Sequence, residues 1–132
     1  MSLKKVVLFV LVLAITSGGC KSTLEQLRGR NRENILKLAE GMSSSEVKQI
    51  MGTKTRGGKY GEPMVSNPYK SEIIIAGGNR YEVLYYYTEI DSSIHISNPS
   101  VVRDGDLTPL VFKDNKLIGW GRGFLTALTN DD

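Results

Sequence analysis

The run Arg80-Tyr81-Glu82-Val83-Leu84-Tyr85-Tyr86-Tyr87-Thr88-Glu89-Ile90 decides the fold. β-branched and aromatic residues dominate it, which is strand chemistry. Successive side chains of a strand point to opposite faces. Val83, Tyr85 and Tyr87 therefore share one face, and Leu84, Tyr86 and Thr88 the other. Both faces are apolar, so this is a central strand. One face can carry helices while the other offers tyrosines outward, which makes Tyr85 and Tyr87 candidate partner-binding residues.

Working outward, residues 69–76 form a second strand-like run, separated from the first by the hairpin chemistry of Gly77-Gly78-Asn79. Residues 91–106 are a long polar connection with Pro99 and Gly105. Residues 108–112 and 116–120 then form a last pair, turned at Asp114-Asn115. Upstream, residues 53–68 are rich in Gly and Pro and read as loop.

Before the loop the periodicity is helical. Asn31 stands as an N-cap, Ile35, Leu38 and Met42 follow at helical spacing, and Gly41 supplies a stop. Ser43 and Glu46 have the spacing of a capping box, Val47, Ile50 and Met51 form one stripe, and Gly52 ends it. Helices first and strands afterwards predict an α+β fold. The expected architecture is a two-layer sandwich, an N-terminal helical hairpin packed on an antiparallel sheet of three to four strands.

The N-terminus is a different kind of sequence. Lys4 and Lys5 precede ten unbroken apolar residues, 6–15, and then Thr16-Ser17-Gly18-Gly19-Cys20. A basic start, an apolar core and a small-residue exit are the parts of a secretory signal. Ten helical residues rise about 15 Å, half of a ~30 Å hydrocarbon core, so the run is too short to span a bilayer. A buried core helix is the alternative, but the run has no polar face. Cys20 is the chain's one cysteine, so no intramolecular disulfide can form.

The expected organisation is a signal peptide over residues 1–19, a tether over 20–30 that is polar, basic and broken by Gly29, and one domain over 31–132. Loss of Lys4 and Lys5 reduces 17 basic side chains to 15, against 14 acidic ones. Residues 20–59 keep nine basic and four acidic groups. This bias suits anionic head groups, or simply a solvated helix face. Nucleic acid is not an expected partner, because the excess is modest and no aromatics interleave it.

Three stretches resemble known families. Ser17-Gly18-Gly19-Cys20 resembles the lipobox of bacterial lipoproteins, which implies lipidation at Cys20 with three acyl chains, palmitate among them. Lys21 after the cysteine, rather than Asp, implies the outer membrane, with the domain on its periplasmic face. The alternative is a free thiol beyond an ordinary cleavage site. Gly41-Met42-Ser43-Ser44-Ser45-Glu46-Val47-Lys48-Gln49-Ile50-Met51-Gly52 is similar to the opening motif of the SmpA/OmlA lipoproteins, the family of the outer-membrane assembly factor BamE. That likeness implies the two-helix, three- or four-strand fold also found in β-lactamase inhibitor proteins. Where that family usually has Pro, two residues after the helix-ending glycine, this chain has Lys54. No functional residues carry over. Residues 81–88, 107–112 and 116–121 are similar to an uncharacterised family of small proteobacterial lipoproteins sharing that fold.

Catalytic constellations are not legible. His95 is the one histidine, in a polar loop near Ser92, Ser93 and Ser97, without a nucleophile-elbow sequence. Asp104-Gly105-Asp106 and Asp114 lack EF-hand spacing, and Gly119-Trp120-Gly121-Arg122-Gly123 lacks that of a phosphate loop. The glycines flanking Trp120 suit close packing in a core strand, although an exposed Trp120 would serve as a partner anchor. The expectation is a non-enzyme with no metal and no cofactor, an outer-membrane lipoprotein acting as an adaptor or envelope-maintenance factor through contacts with an envelope protein. The alternative is a periplasmic small-ligand-binding or hydrolytic protein using the loop at 91–106.

Overall fold

The structure, a computed structural model, describes residues 23–57, 63–90 and 102–131. Cys20, His95 and most of the 91–106 loop lie outside them. The elements in chain order are helix α1 (Thr23–Ile35), helix α2 (Ser44–Met51), short strands β1 (Arg56–Gly57) and β2 (Met64–Val65), and strands β3 (Lys70–Ala76) and β4 (Asn79–Tyr87). A 3-10 turn at Asp104–Asp106, strands β5 (Leu107–Lys113) and β6 (Lys116–Trp120), and helix α3 (Arg122–Asn130) complete it. The class is α+β, as the order of elements predicts. Four antiparallel strands run β3-β4-β5-β6, and β1 and β2 pair separately.

The two hairpins of the sheet follow from local chemistry. Gly77 and Gly78 (φ +54° and +71°) make a two-residue turn between Ala76 and Asn79, and Asp114 and Asn115 (φ +51° and +61°) make the other. Both turns need positive φ at both central residues, which Gly and Asn/Asp supply most readily. Val111 faces Gly119 while Phe112 faces Leu117, so Ile118 is the extra residue of a bulge.

Alternation along β4 divides the interior into two cores. Tyr81, Val83, Tyr85 and Tyr87 belong to the first, with Leu24, Leu27, Val65, Leu107 and Val111. Leu84 and Tyr86 belong to the second, with Leu38, Val47, Met51, Leu110, Phe112 and Leu117. The helical cover of the second face is α2, as expected. Its capping box is formed: the Glu46 amide donates to Ser43 Oγ at 3.1 Å and the Ser43 amide to Glu46 Oε2 at 2.7 Å. Gly52 (φ +78°) ends it.

The first helix departs from expectation. The segment read as a tether is helical from Thr23, and the helix stops at Ile35 rather than at Gly41. Its buried stripe is Leu24, Leu27, Arg28 and Asn31. The spacing is helical, but two of the four are polar, so a search for apolar periodicity passes over it. Asn31 is not a cap but a fully buried residue of the last turns. Gly41 has the expected positive φ (+89°) for another purpose. It lays residues 41–43 along β6: the Gly41 amide donates to the Leu117 carbonyl, and the Leu117 amide to the Met42 carbonyl, each at 2.8 Å. The outer edge of β6 is thereby covered. Helix α3, absent from the sequence reading, sets Leu125 and Leu128 against the first core. Its Phe124 ring sits over Gly119, 2.5 Å from where a Cβ would be.

α1 crosses the end of β4. The Asn31 side-chain amide donates to the Tyr87 carbonyl at 2.8 Å, and Arg32 donates to the Thr88 carbonyl at 2.7 Å. Asn31 and Asn67 exchange a reciprocal pair of amide hydrogen bonds at 3.0 and 2.9 Å. Asn67 also donates to the Met51 carbonyl at 2.7 Å. One buried amide pair thus ties together α1, the end of α2, the approach to β3 and the end of β4.

Candidate interaction surface

Of the tyrosines expected to face outward, both are inside. Tyr85 is 6 % exposed and Tyr87 3 %. The reason is the first-face cover that the sequence reading lacked. Arg28 of α1 donates to the Tyr87 hydroxyl at 2.9 Å, with its guanidinium carbon 5.2 Å from the ring centre. Tyr85 is enclosed by charged groups. Its hydroxyl donates to the Glu72 carboxylate, and Lys70 Nζ lies 4.6 Å from its ring centre. Lys70 in turn pairs with Asp104 Oδ1 at 2.9 Å, and the Arg122 guanidinium donates to the Asp104 carbonyl. Burial, then the Glu72 carboxylate, push the Tyr85 phenol well above its ordinary value. The Lys70 ammonium holds Asp104 below the usual carboxylate range. This network pins the 3-10 turn and the start of α3 to the sheet. Trp120 is half-buried and packs against the second core, where Leu38, Val47 and Leu117 sit.

Asp106, the last residue of the Asp104-Gly105-Asp106 turn, is fully buried. It accepts from the Arg103 amide at 2.9 Å, and its carbonyl accepts from Thr88 and Glu89 at 3.0 Å. These are the bonds of a structural turn. Among the described residues no three His, Cys, Asp or Glu side chains stand close enough to hold a metal ion, and no helix is long and apolar enough to cross a membrane.

Exposed apolar residues border a groove in two places, although Met64, Ile90 and Phe124 are exposed as well. Leu36 is 85 % exposed beyond the end of α1 and lines an open groove of about 550 Å³ with Gly29, Arg32, Ile35, Thr88 and Glu89. On β3, Ile73 and Ile75 are 48 % and 65 % exposed. Among the described residues no strand lies beyond β3, so its outer backbone groups have no ladder partner among them. Beside Ile73 a second groove, about 420 Å³, is lined by Arg80, Glu82, Phe112, Asp114 and Asn115. Sequence reasoning placed β3 but not its exposure: an Ile-Ile-Ile run says nothing of which face a helix covers, and α2 stops short of this edge.

A family described as "Protein of unknown function (DUF3192)" matches residues 10–127. The chain belongs to the DUF3192 family. The matched residues take in both cores and extend upstream through Cys20. No curated protein and no solved structure matches this DUF3192 chain.

Proposed function

We propose that this DUF3192 protein is a lipid-anchored adaptor on the periplasmic face of the outer membrane, with the SmpA/OmlA-like fold, working through contacts with an envelope protein rather than by catalysis. The observation that carries the reading is Ser17-Gly18-Gly19-Cys20 directly after an apolar run too short to span a bilayer. Two or more acyl chains make a stable anchor. The position of α1 adds a geometric consequence. Three residues reach about 11 Å at most, so a lipid on Cys20 holds the start of α1, at Thr23, against the head groups. The adaptor is then mounted on the membrane, not suspended from it. Its most exposed apolar residue is Leu36, just beyond the far end of a 13-residue helix.

Metabolic labelling with a fatty acid, comparing the wild type with Cys20→Ala, tests the anchor: a signal lost in the variant is expected, and an unlabelled wild type refutes it. Purification of the anchored protein from solubilised envelopes tests the adaptor role. A stoichiometric envelope protein that is lost with Leu36→Asp is expected. A retained small molecule in place of a protein would favour ligand binding instead.

A further inference from the structure

We propose that two copies of this chain pair through the free edge of β3, antiparallel about Ile74, to form one continuous eight-stranded sheet. The two sheet edges are treated differently. Residues 41–43 cover β6, with Ser43 bridging to Lys116. β3 has no such cover among the described residues. Exposed edges are ordinarily guarded by charge, proline or bulges. Here the charges of β3, Lys70 and Glu72, point to the first face and are engaged by Asp104 and Tyr85. The outer half, Ile73-Ile74-Ile75-Ala76, carries none.

The register follows from backbone parity. In a two-residue hairpin the residues flanking the turn form a hydrogen-bonded pair, here Ala76 and Asn79. Ala76, Ile74 and Glu72 therefore direct their amides and carbonyls to β4, whereas Ser71, Ile73 and Ile75 direct theirs outward. A twofold centred on Ile74 sets Ile73 of one copy against Ile75 of the other, twice, with the outward groups of both isoleucines paired. The four exposed isoleucine side chains then meet on the second face. Lys70 and Glu72 fall opposite Gly78 and Ala76 of the other copy. Centring on Glu72 would oppose two carboxylates, which destabilises a sheet. Centring on Ile73 would oppose Ile75 to Ser71.

The occupant is a second copy because the pattern is self-complementary and because the membrane permits it. The twofold of such a pairing is normal to the sheet, so each face stays on the same side in both copies. Leu24 and Leu27 at the start of α1 pack into the first-face core. Both α1 starts thus lie on one side of the joint sheet. On the lipid-anchored reading, which this step assumes, both Cys20 anchors enter one membrane. Confinement to that surface raises the effective concentration of an interface that is small by itself.

The test is cysteine crosslinking of the full chain in its own membranes. Opposed residues of a non-hydrogen-bonded pair lie about 4.5 Å apart at Cα, within disulfide reach. Ile74→Cys should give an oxidant-dependent dimer, and adding Ile73→Lys should reduce it at least tenfold. Glu72→Cys should give none, since the two positions would be offset by about 14 Å along the strands. Co-production of Ile73→Cys and Ile75→Cys chains, both at exposed positions that folding tolerates, should crosslink more than either alone. Failure of both the Ile74→Cys and the mixed pair to exceed the wild type overturns the proposal. So does a Glu72→Cys band of equal strength, which would mean random collision. A dimer of the wild type itself would come from a free Cys20 thiol. It would refute the anchor, while the excess in the variants would still decide the pairing.

Discussion

Replacing Asn31 with Ala should be among the most damaging changes to a polar residue in this protein. Asn31 is fully buried, and Asn67, its partner, is 4 % exposed. The substitution removes the 3.0 and 2.9 Å bonds with Asn67 and the 2.8 Å bond to the Tyr87 carbonyl. Asn67 Oδ1 and the Tyr87 carbonyl each lose a donor, at roughly 1–2 kcal/mol apiece for a buried group. The vacated volume adds about 1 kcal/mol, and the better helix propensity of Ala returns about 0.6 kcal/mol. A net loss of about 3 kcal/mol is expected. Asn67→Ala should be similar, but the double variant should lose about 1–2 kcal/mol less than the sum, because neither amide is then left facing an empty partner. Urea denaturation followed by the fluorescence of Trp120, the one tryptophan, measures all three, with Arg30→Ala on the exposed face of the same helix as the control. Strict additivity, or an Asn31→Ala loss below about 1 kcal/mol, would refute the view that this pair holds α1, α2 and the sheet together.

Other outcomes follow from single contacts. Tyr86→Phe should be neutral or stabilising by up to about 1 kcal/mol, because the fully buried hydroxyl has no hydrogen-bond partner among the described residues; a loss above that in the same urea series would point to a partner. Gly29→Ala should raise stability by about 0.5–1 kcal/mol, since a Cβ there meets nothing within 4 Å inside a helix. Gly57→Ala should instead lower it by at least about 2 kcal/mol: its φ is +104° and the new Cβ would lie 2.1 Å from the Pro63 carbonyl oxygen. Tyr85, with a folded pKa raised chiefly by burial, gives stability that is complete below the unfolded value of about 10 and declines as pH rises above it. Alkaline unfolding should accordingly move to higher pH in Tyr85→Phe, and an unchanged profile would exclude this tyrosine as a cause.

What the sequence made legible was whatever depends on near neighbours. Ser43 and Glu46 satisfy each other's amides across one helical turn, and Gly77-Gly78 and Asp114-Asn115 supply positive φ where the chain reverses. No distant residue is needed for these, so the capping box, both hairpins and the α+β order could be placed from the residues alone. The sides of the sheet were not legible, because β4 is apolar on both faces and a strand does not record what lies above it. The docking of α1 and α3 decides that Tyr85 and Tyr87 are interior, and the short reach of α2 over the other face leaves Ile73 and Ile75 exposed.

Asn31 shows the limit most sharply. Asparagine favours N-caps because its side chain can satisfy a free backbone amide nearby. The same amide can satisfy a carbonyl and a second amide 56 and 36 residues away in sequence, provided that everything around it excludes water. The two uses are chemically identical at the level of the residue and differ only in which partner is buried with it. A local reading selects the nearer one. In this chain the long-range use prevails because Leu24 and Leu27, respectively two turns and one turn before it on the same stripe, are held by the first core, and a helix fixed there carries Asn31 onto the end of β4.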